Sequence, residues 1–439
     1  MSRFLFATWE GGGHVQPMLL AAKGLADRGH EVLILSDACN APDAAAHGAP
    51  FRQWRLAPSR PDRDPETDPI KDWLTRTPIE TIAALCDGIM SGPAARYAVD
   101  TTQAIDDFEP DVVVSQEMLL GVMLAAEARR VPLALFAANV WPLPTLPKAA
   151  PFGGGLPAPV TDFDFTFYAG VTKATRAAYQ HGLPALNAAR ADFRLAPFAD
   201  LFDQLDVAGR VLLATSRAFD FATEMPASFR YVGPYLDDPS WVGRPKVAIK
   251  GEPSWPLVLV SFSTMYQGQE AVLRRAIEAL SAMPVRGVVT LGPVLAPEDF
   301  PAPPNVTVTP SFRHSDVFPE TRAMITHAGH ASALRPLIAG VPLVCIPLGR
   351  DQADNAVRVT ERGAGLRLLP DASAEDIGAA VQTLLAEPRY ASAARSLGAR
   401  IAADATARCA EQTLIDFARS GEHHDQADVL PRAPASPDA

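Results

Sequence analysis

Two short segments of this 439-residue chain place glycine, histidine and polar side chains in an order that could do chemistry. The first is Glu10-Gly11-Gly12-Gly13-His14-Val15-Gln16-Pro17. Consecutive glycines let the backbone pass close to a ligand, so Gly12 and Gly13 are expected against one. His14 follows at the mouth of a helix whose first turn suits Pro17. The positive end of that helix disfavours imidazolium, and a neutral ring is what a general base needs to deprotonate a hydroxyl. The plainer alternative is a glycine-rich turn whose histidine caps a helix, since the full dinucleotide fingerprint is missing.

The second segment is Thr326-His327-Ala328-Gly329-His330-Ala331-Ser332. It follows an apolar run and precedes a helical pattern from Ala333 to Ala339. With Ser332 as N-cap, Pro336 falls in the first turn, where it is tolerated. Free backbone N–H groups at such a terminus, beside a histidine and a hydroxyl, make a cradle for a diphosphate. Gly329 would let phosphate oxygens come close. Further on, Asp351 and Gln352 set a carboxylate beside a carboxamide at the end of another apolar run, a pair suited to adjacent sugar hydroxyls. Each piece alone is an ordinary αβ junction; the ordered combination is not.

These segments need strands behind them. Arg3 to Thr8, Glu31 to Leu35, Asp111 to Val114 and Leu133 to Phe136 are short runs, apolar almost throughout, as in parallel sheets covered on both faces. A second alternation begins at Leu257 to Val260 and continues through Gly287 to Thr290, Val306 to Thr309, Ala323 to Thr326 and Leu343 to Ile346. Two β/α alternations of this length predict an α/β chain with two doubly wound, Rossmann-like domains facing a cleft. The expected boundaries are residues 1–236 for the first domain, 237–256 for a linker, 257–420 for the second domain and 421–439 for a disordered tail. Asn139 to Phe165 is rich in Pro, Gly and Phe and reads as loops and short helices walling a pocket. Trp141, Phe152 and Phe167 are the expected acceptor contacts there, with Phe163, Phe165 and Tyr168 beside them. Ordinary core packing is the alternative for at least half of these aromatics.

A formal net charge of −11 argues against a nucleic-acid or anionic-membrane partner. No signal peptide is expected from the N-terminal residues, and the nearest apolar stretch, Val131 to Leu146, is broken by three prolines. Cys39, Cys86, Cys345 and Cys409 lie far apart with no paired spacing, so free thiols in a reducing cytoplasm are expected.

At this combination the sequence resembles the inverting, family-one glycosyltransferases, both bacterial macrolide and antibiotic enzymes and plant secondary-metabolite glucosyltransferases. The resemblance runs over about residues 3 to 415 and is densest from Phe312 to Gly365. It implies the GT-B architecture, with the acceptor on the first domain and the nucleotide sugar on the second. It implies His14 as base and His327 on the diphosphate, with Gly329, His330, Ala331 and Ser332 completing the cradle. Asp351 and Gln352 would read the donor sugar. Ser263 and Thr264 match the loop near the phosphates, and Phe312, Arg313 and His314 fall where the family holds the nucleobase. The implied reaction moves a hexose from a UDP- or dTDP-linked donor to a hydroxyl of a small hydrophobic acceptor. No cofactor and no metal are expected, the nucleotide sugar being a co-substrate. Monomer and homodimer stay equally open.

Two positions depart from the family pattern. Arg335 stands where plant members carry a ribose-binding glutamate, which brings dTDP into contention. Ser115-Gln116-Glu117 stands where they place the aspartate that orients the base, and Glu117, displaced by one, is the candidate for that role. Asp62-Arg63-Asp64 and Asp162-Phe163-Asp164 fit the short metal pattern of another glycosyltransferase class, but neither follows a clear strand. The rival readings are a catalytically silent accessory protein of the same fold, a sugar-nucleotide epimerase and, last, a dehydrogenase with Asp37 as its ribose acid.

Overall fold

The computed structural model describes residues 1–221, 223–238 and 248–420. Residues 239–247 of the expected linker and the expected tail 421–439 lie outside the described residues.

The first sheet is built from β1 (Arg3–Ala7), β2 (Glu31–Ser36), β3 (Phe51–Gln53), β4 (Val112–Ser115), β5 (Leu133–Ala137), β6 (Arg210–Leu213) and β7 (Phe229–Tyr231). Its strands lie in the order β3-β2-β1-β4-β5-β6-β7, and every pairing is parallel. The second sheet contains β8 (Leu257–Ser261), β9 (Arg286–Thr290), β10 (Val306–Thr309), β11 (Thr321–Thr326), β12 (Leu343–Cys345) and β13 (Gly365–Arg367). Its order is β10-β9-β8-β11-β12-β13, again parallel throughout. This is the expected α/β, GT-B arrangement.

The strand sequences explain the layers. Successive side chains of a strand point to opposite faces. In β1, Leu5 and Ala7 enter one apolar cluster while Phe4 and Phe6 enter the other, and all four are fully buried. In β8, Val258 and Val260 pack on one face, Leu257 and Leu259 on the opposite one. Helices must cover both faces of such sheets, and they do.

The strand order reverses direction between β1 and β4 in the first sheet, and between β8 and β11 in the second. Crevices at the carboxyl ends of the strands open at these points, where α/β folds bind ligands. His14 follows β1 and His327 follows β11. The sheets therefore put both histidine turns at their binding crevices.

Two expectations about the chain's organisation are corrected. The helix Ala410–Ser420 does not stay with the second domain: Leu414, Ile415 and Phe417 pack with Phe4 and Phe6 in the core of the first. Glu411 on this helix accepts a hydrogen bond from the Tyr235 hydroxyl at 2.9 Å. The expected irregular wall 139–165 ends earlier, because Thr161 and Asp164 form a capping box that starts a helix over Asp162–Tyr179. Asp162-Phe163-Asp164 is thus a helix start.

Candidate functional site

A cavity of about 400 Å³ lies between the two crevices and is lined from both domains. The first domain contributes the glycine-rich turn, including Gly12, Gly13 and His14, together with Asn139. The second contributes Ser263 and Thr264 after β8, and the run from Gly329 to Ser332 with His327 after β11. Asp351 and Gln352 close one side, Phe312 and His314 another. Residues more than 300 apart in sequence thus share one chamber.

His14 occupies the N-cap position of the helix Val15–Ala26 and makes no capping hydrogen bond with its side chain. The ring is not spent on the helix. Burial, and then the nearby Arg350 guanidinium, pull its pKa down to about 4. The neutral imidazole expected from the helix end is present, but desolvation is the larger cause. Its Nδ1 is buried and meets no hydrogen-bond partner among the described residues.

Glu117 does not supply that partner. Both of its carboxylate oxygens are buried and meet no partner among the described residues, it does not line the cavity, and burial raises its pKa to about 7. The residue before it takes the structural role at this strand end. Gln116 Oε1 accepts from Thr8 Oγ1 at 3.2 Å and from the Trp9 N–H at 3.5 Å, bracing β4 against β1. A displacement of one residue along an extended chain turns a side chain to the other face.

The helix after β11 begins sooner than its sequence suggests. It runs over His330–Ile338 with Gly329 as N-cap, so Ser332 lies in its first turn and Pro336 in its interior. Proline there cannot donate to the carbonyl four residues back, which leaves the Ser332 carbonyl unpaired by the helix. The Asp351 carboxylate accepts from the His330 backbone N–H and from Asn355 Nδ2, the latter at 2.8 Å. The next free donors of this terminus are Ala331 and Ser332. Gly329 is needed beneath the ring of His327: a Cβ there would stand 2.5 Å from His327 Nε2. Burial brings the pKa of His327 to about 4, against a bond to the Ser261 backbone that raises it.

Gln352 is more committed than a free sugar-reading amide. Its Oε1 accepts from the Leu348 and Gly349 N–H groups at 2.7 and 3.2 Å, and its Nε2 donates to Gln267 at 2.8 Å. His330 bridges the domains through Nε2 and the Thr215 hydroxyl at 2.7 Å. Arg313 does not line the cavity, and its Nε lies 3.7 Å from Asp238, which does. Arg335 lines the cavity and pairs with the same Asp238, which also accepts from Ser315 Oγ at 2.6 Å.

The expected acceptor aromatics do not meet the cavity. Trp141 is a core residue, 5.0 Å from the Phe229 ring, with its indole N–H on Thr145. Phe152 packs against a core cluster of the second domain. Phe167 is half exposed on the helix Asp162–Tyr179, stacked with Phe163. The Asp62-Arg63-Asp64 pattern is also occupied: Asp64 caps a short turn, and Arg63 bonds Glu10 and Asp43 at the edge of the cavity. Asp37 accepts from the Glu10 and Arg60 N–H groups, tying loops together. Among the described residues no three His, Cys, Asp or Glu side chains are grouped to hold a metal ion.

Arg350 was not singled out by its sequence. It lines the cavity beside His14 and Asp351, with its guanidinium on Asp72 of the first domain. No sequence spacing could reveal a partner 278 residues away.

The chain is similar in sequence and in fold to known proteins. Residues 312–407 match the family described as UDP-glucoronosyl and UDP-glucosyl transferase. The chain is 29% identical to the 4'-demethylrebeccamycin synthase of Lentzea aerocolonigenes over 95% of its own length and 98% of the relative's. It is 33% identical to the demethyllactenocin mycarosyltransferase of Streptomyces fradiae, over 38% of each chain. The crystal structure of the glycotransferase of kitacinnamycin superposes with a TM-score of 0.73 at 19% identity, covering 95% of this chain and 99% of that one. That last likeness is one of fold. With its paired parallel sheets and the histidine turn of the matched segment at the crevice of the second, the chain has the GT-B fold and is similar to glycosyltransferases of the antibiotic and natural-product kind.

Proposed function

We propose that the protein moves a hexose from a UDP- or dTDP-linked sugar to a hydroxyl of a small hydrophobic acceptor of the natural-product kind, with inversion and without a metal. One observation carries the reading: a half-buried neutral histidine at the first crevice and a helix N-terminus at the second face a single cavity. In a single displacement, a ring nitrogen of His14 takes the acceptor's hydroxyl proton while the acceptor oxygen bonds to the anomeric carbon. The bond from that carbon to the diphosphate breaks, and its electron pair leaves with the diphosphate oxygen. Ala331 and Ser332 N–H groups, with His327 beside them, meet the growing negative charge. Attack from the face opposite the leaving group inverts the anomeric centre.

Arg335 bears on the nucleoside. It stands where the resemblance would require a carboxylate for ribose hydroxyls, and it is tied to Asp238. That favours dTDP, whose sugar lacks the 2′-hydroxyl. Four unpaired cysteines among the described residues suit a cytoplasmic enzyme. No described helix is long and apolar enough to cross a membrane.

The test is release of nucleoside diphosphate from UDP-, dTDP- and GDP-sugars with phenolic and macrolide acceptors, chelator present. Acceptor-dependent release is expected, with dTDP-sugars preferred. Binding of nucleotide without release from any donor would instead favour the silent accessory protein.

The pH profile follows from His14. The base must be neutral, and its pKa lies near 4, so kcat/KM should hold as pH falls and drop only around that value. At pH 5.5 an ordinary histidine would be only about one-tenth neutral, whereas this one stays almost wholly so. The relevant charged neighbours are Arg350, which opposes protonation, and His330, itself neutral with a pKa of about 3. An acidic limb at pH 6 to 7 would remove His14 from the role.

A further inference from the structure

Residues 59–77 of the first domain form a strap that reaches across the cleft. Its base is held to its own domain. Asp37 accepts from the Arg60 N–H at 2.7 Å, and Arg60 donates to the Asp64 carbonyl at 2.9 Å. Asp68, almost fully buried, lies 3.5 Å from the Arg60 guanidinium and accepts from the Ile70 N–H. Lys71 then adopts a left-handed conformation, φ 45°, and starts the short turn Asp72–Leu74. That turn presents Asp72 and Trp73 to the second domain.

The second domain answers with matched groups. Arg350 Nε and Nη2 donate to the two oxygens of Asp72 at 2.6 and 3.1 Å, a two-pronged pair largely shielded from solvent. Such forks fix geometry as well as charge, which a lysine cannot do. The Trp73 ring meets Tyr266 edge-on at 5.2 Å. A third Arg350 nitrogen contacts Met265 Sδ at 3.3 Å, and Met265 sits directly over Gly12. Arg350 itself is left-handed, φ 56°, an uncommon state for a residue with a side chain. It immediately precedes Asp351 and Gln352, whose loop is laced by the Gln352 amide. Asp68, Asp72 and Trp73 do not line the cavity, whereas Arg350 does.

We propose that Arg350 is a positioning residue that clasps Asp72 across the cleft and so couples docking of the 59–77 strap to placement of the Asp351–Gln352 loop on the donor sugar. The inference rests on the glycosyltransferase reading for its ligand, but the clasp can be read without turnover. With the strap docked, Asp351 and His14 both line the cavity between the domains. With it released, the loop bearing Asp351 loses its side-chain anchor on the strap and keeps the tie three residues on, where Asp354 accepts from the Gly153 and Gly155 N–H groups of the first domain.

Backbone hydrogen exchange over residues 68–75 would be followed in the full chain, in the parent and in Arg350→Ala. Exchange there should quicken about tenfold or more, while β1 and β8 stay protected. Asp72→Asn, nearly isosteric, should do the same, and it serves if Arg350→Ala does not fold. The paired exchange Arg350→Asp/Asp72→Arg should restore protection. In turnover, Arg350→Lys should raise the donor KM and lower kcat, while the affinity for UDP or dTDP alone stays within about twofold. Unchanged exchange in Arg350→Ala and Asp72→Asn overturns the clasp. Equal loss of affinity for the nucleoside diphosphate alone also overturns the proposal, making Arg350 a phosphate ligand. If the parent turns over no nucleotide sugar, the glycosyltransferase reading fails, and the exchange comparison still decides the clasp.

Discussion

His14→Ala should lower kcat by about 10²- to 10⁴-fold, equivalent to roughly 3–5 kcal/mol of barrier, while the affinity for the nucleoside diphosphate barely changes. The separation follows from where the residue sits. His14 belongs to the first domain's turn, whereas the diphosphate cradle is the helix terminus of the second. Removing the ring removes a proton acceptor without touching the donors at Ala331 and Ser332. It also leaves the His330–Thr215 bridge between the domains in place. Since Nδ1 of His14 has no hydrogen-bond partner among the described residues, no carboxylate of theirs holds the ring's orientation. Glu117→Gln should therefore change kcat by only a few-fold, because that carboxyl bonds nothing that the amide would lose. Steady-state turnover and calorimetric binding of UDP and dTDP, on both variants, check these expectations together. A parallel loss of nucleotide affinity in His14→Ala would show that the ring holds the donor and does not act as a base.

What could be read from the sequence was the part governed by local pattern. Strands with three or more consecutive apolar residues, such as Val112 to Ser115 and Leu257 to Ser261, announce themselves because both faces are buried. The two histidine turns were legible for the same reason, each following such a strand. β3, β7 and β13 were not, being three residues long and partly exposed. Helix beginnings also escaped by a few residues: Gly329 caps through its backbone conformation, and a serine three positions on is the more conspicuous signal. Aromatic content was the least reliable guide. Trp141, Phe152 and Phe167 have similar sequence surroundings yet end in a core, a domain contact and solvent, because their fates depend on long-range packing. The same holds for Arg350 and Asp72, and for the last helix, which returns to the first domain.

Asp220→Ala should be the most damaging substitution away from the cavity, costing about 3–5 kcal/mol. Asp220 lies in the first domain, past β6, and Arg358 on the helix Gln352–Glu361 of the second. Arg358 donates to Asp220 Oδ1 through Nε and Nη2 at 3.0 and 2.7 Å, and both side chains are nearly buried. Oδ2 accepts from the Tyr231 hydroxyl at 2.9 Å, so each carboxylate oxygen is engaged. Alanine would strand a guanidinium between the domains, leaving it the Asp354 carbonyl, the charge of the Asp354 carboxyl and the Phe221 ring among the described residues. It would also leave the Tyr231 hydroxyl without its acceptor. The penalty comes from the orphaned charge more than from the lost attraction, and this can be separated experimentally. Asp220→Leu combined with Arg358→Met removes both charges and should recover much of the stability lost by the single change. Urea unfolding of the parent, the single and the double variants reads the difference. A single variant within about 1 kcal/mol of the parent would mean that water reaches Arg358 and that this pair does not fix the two domains against each other.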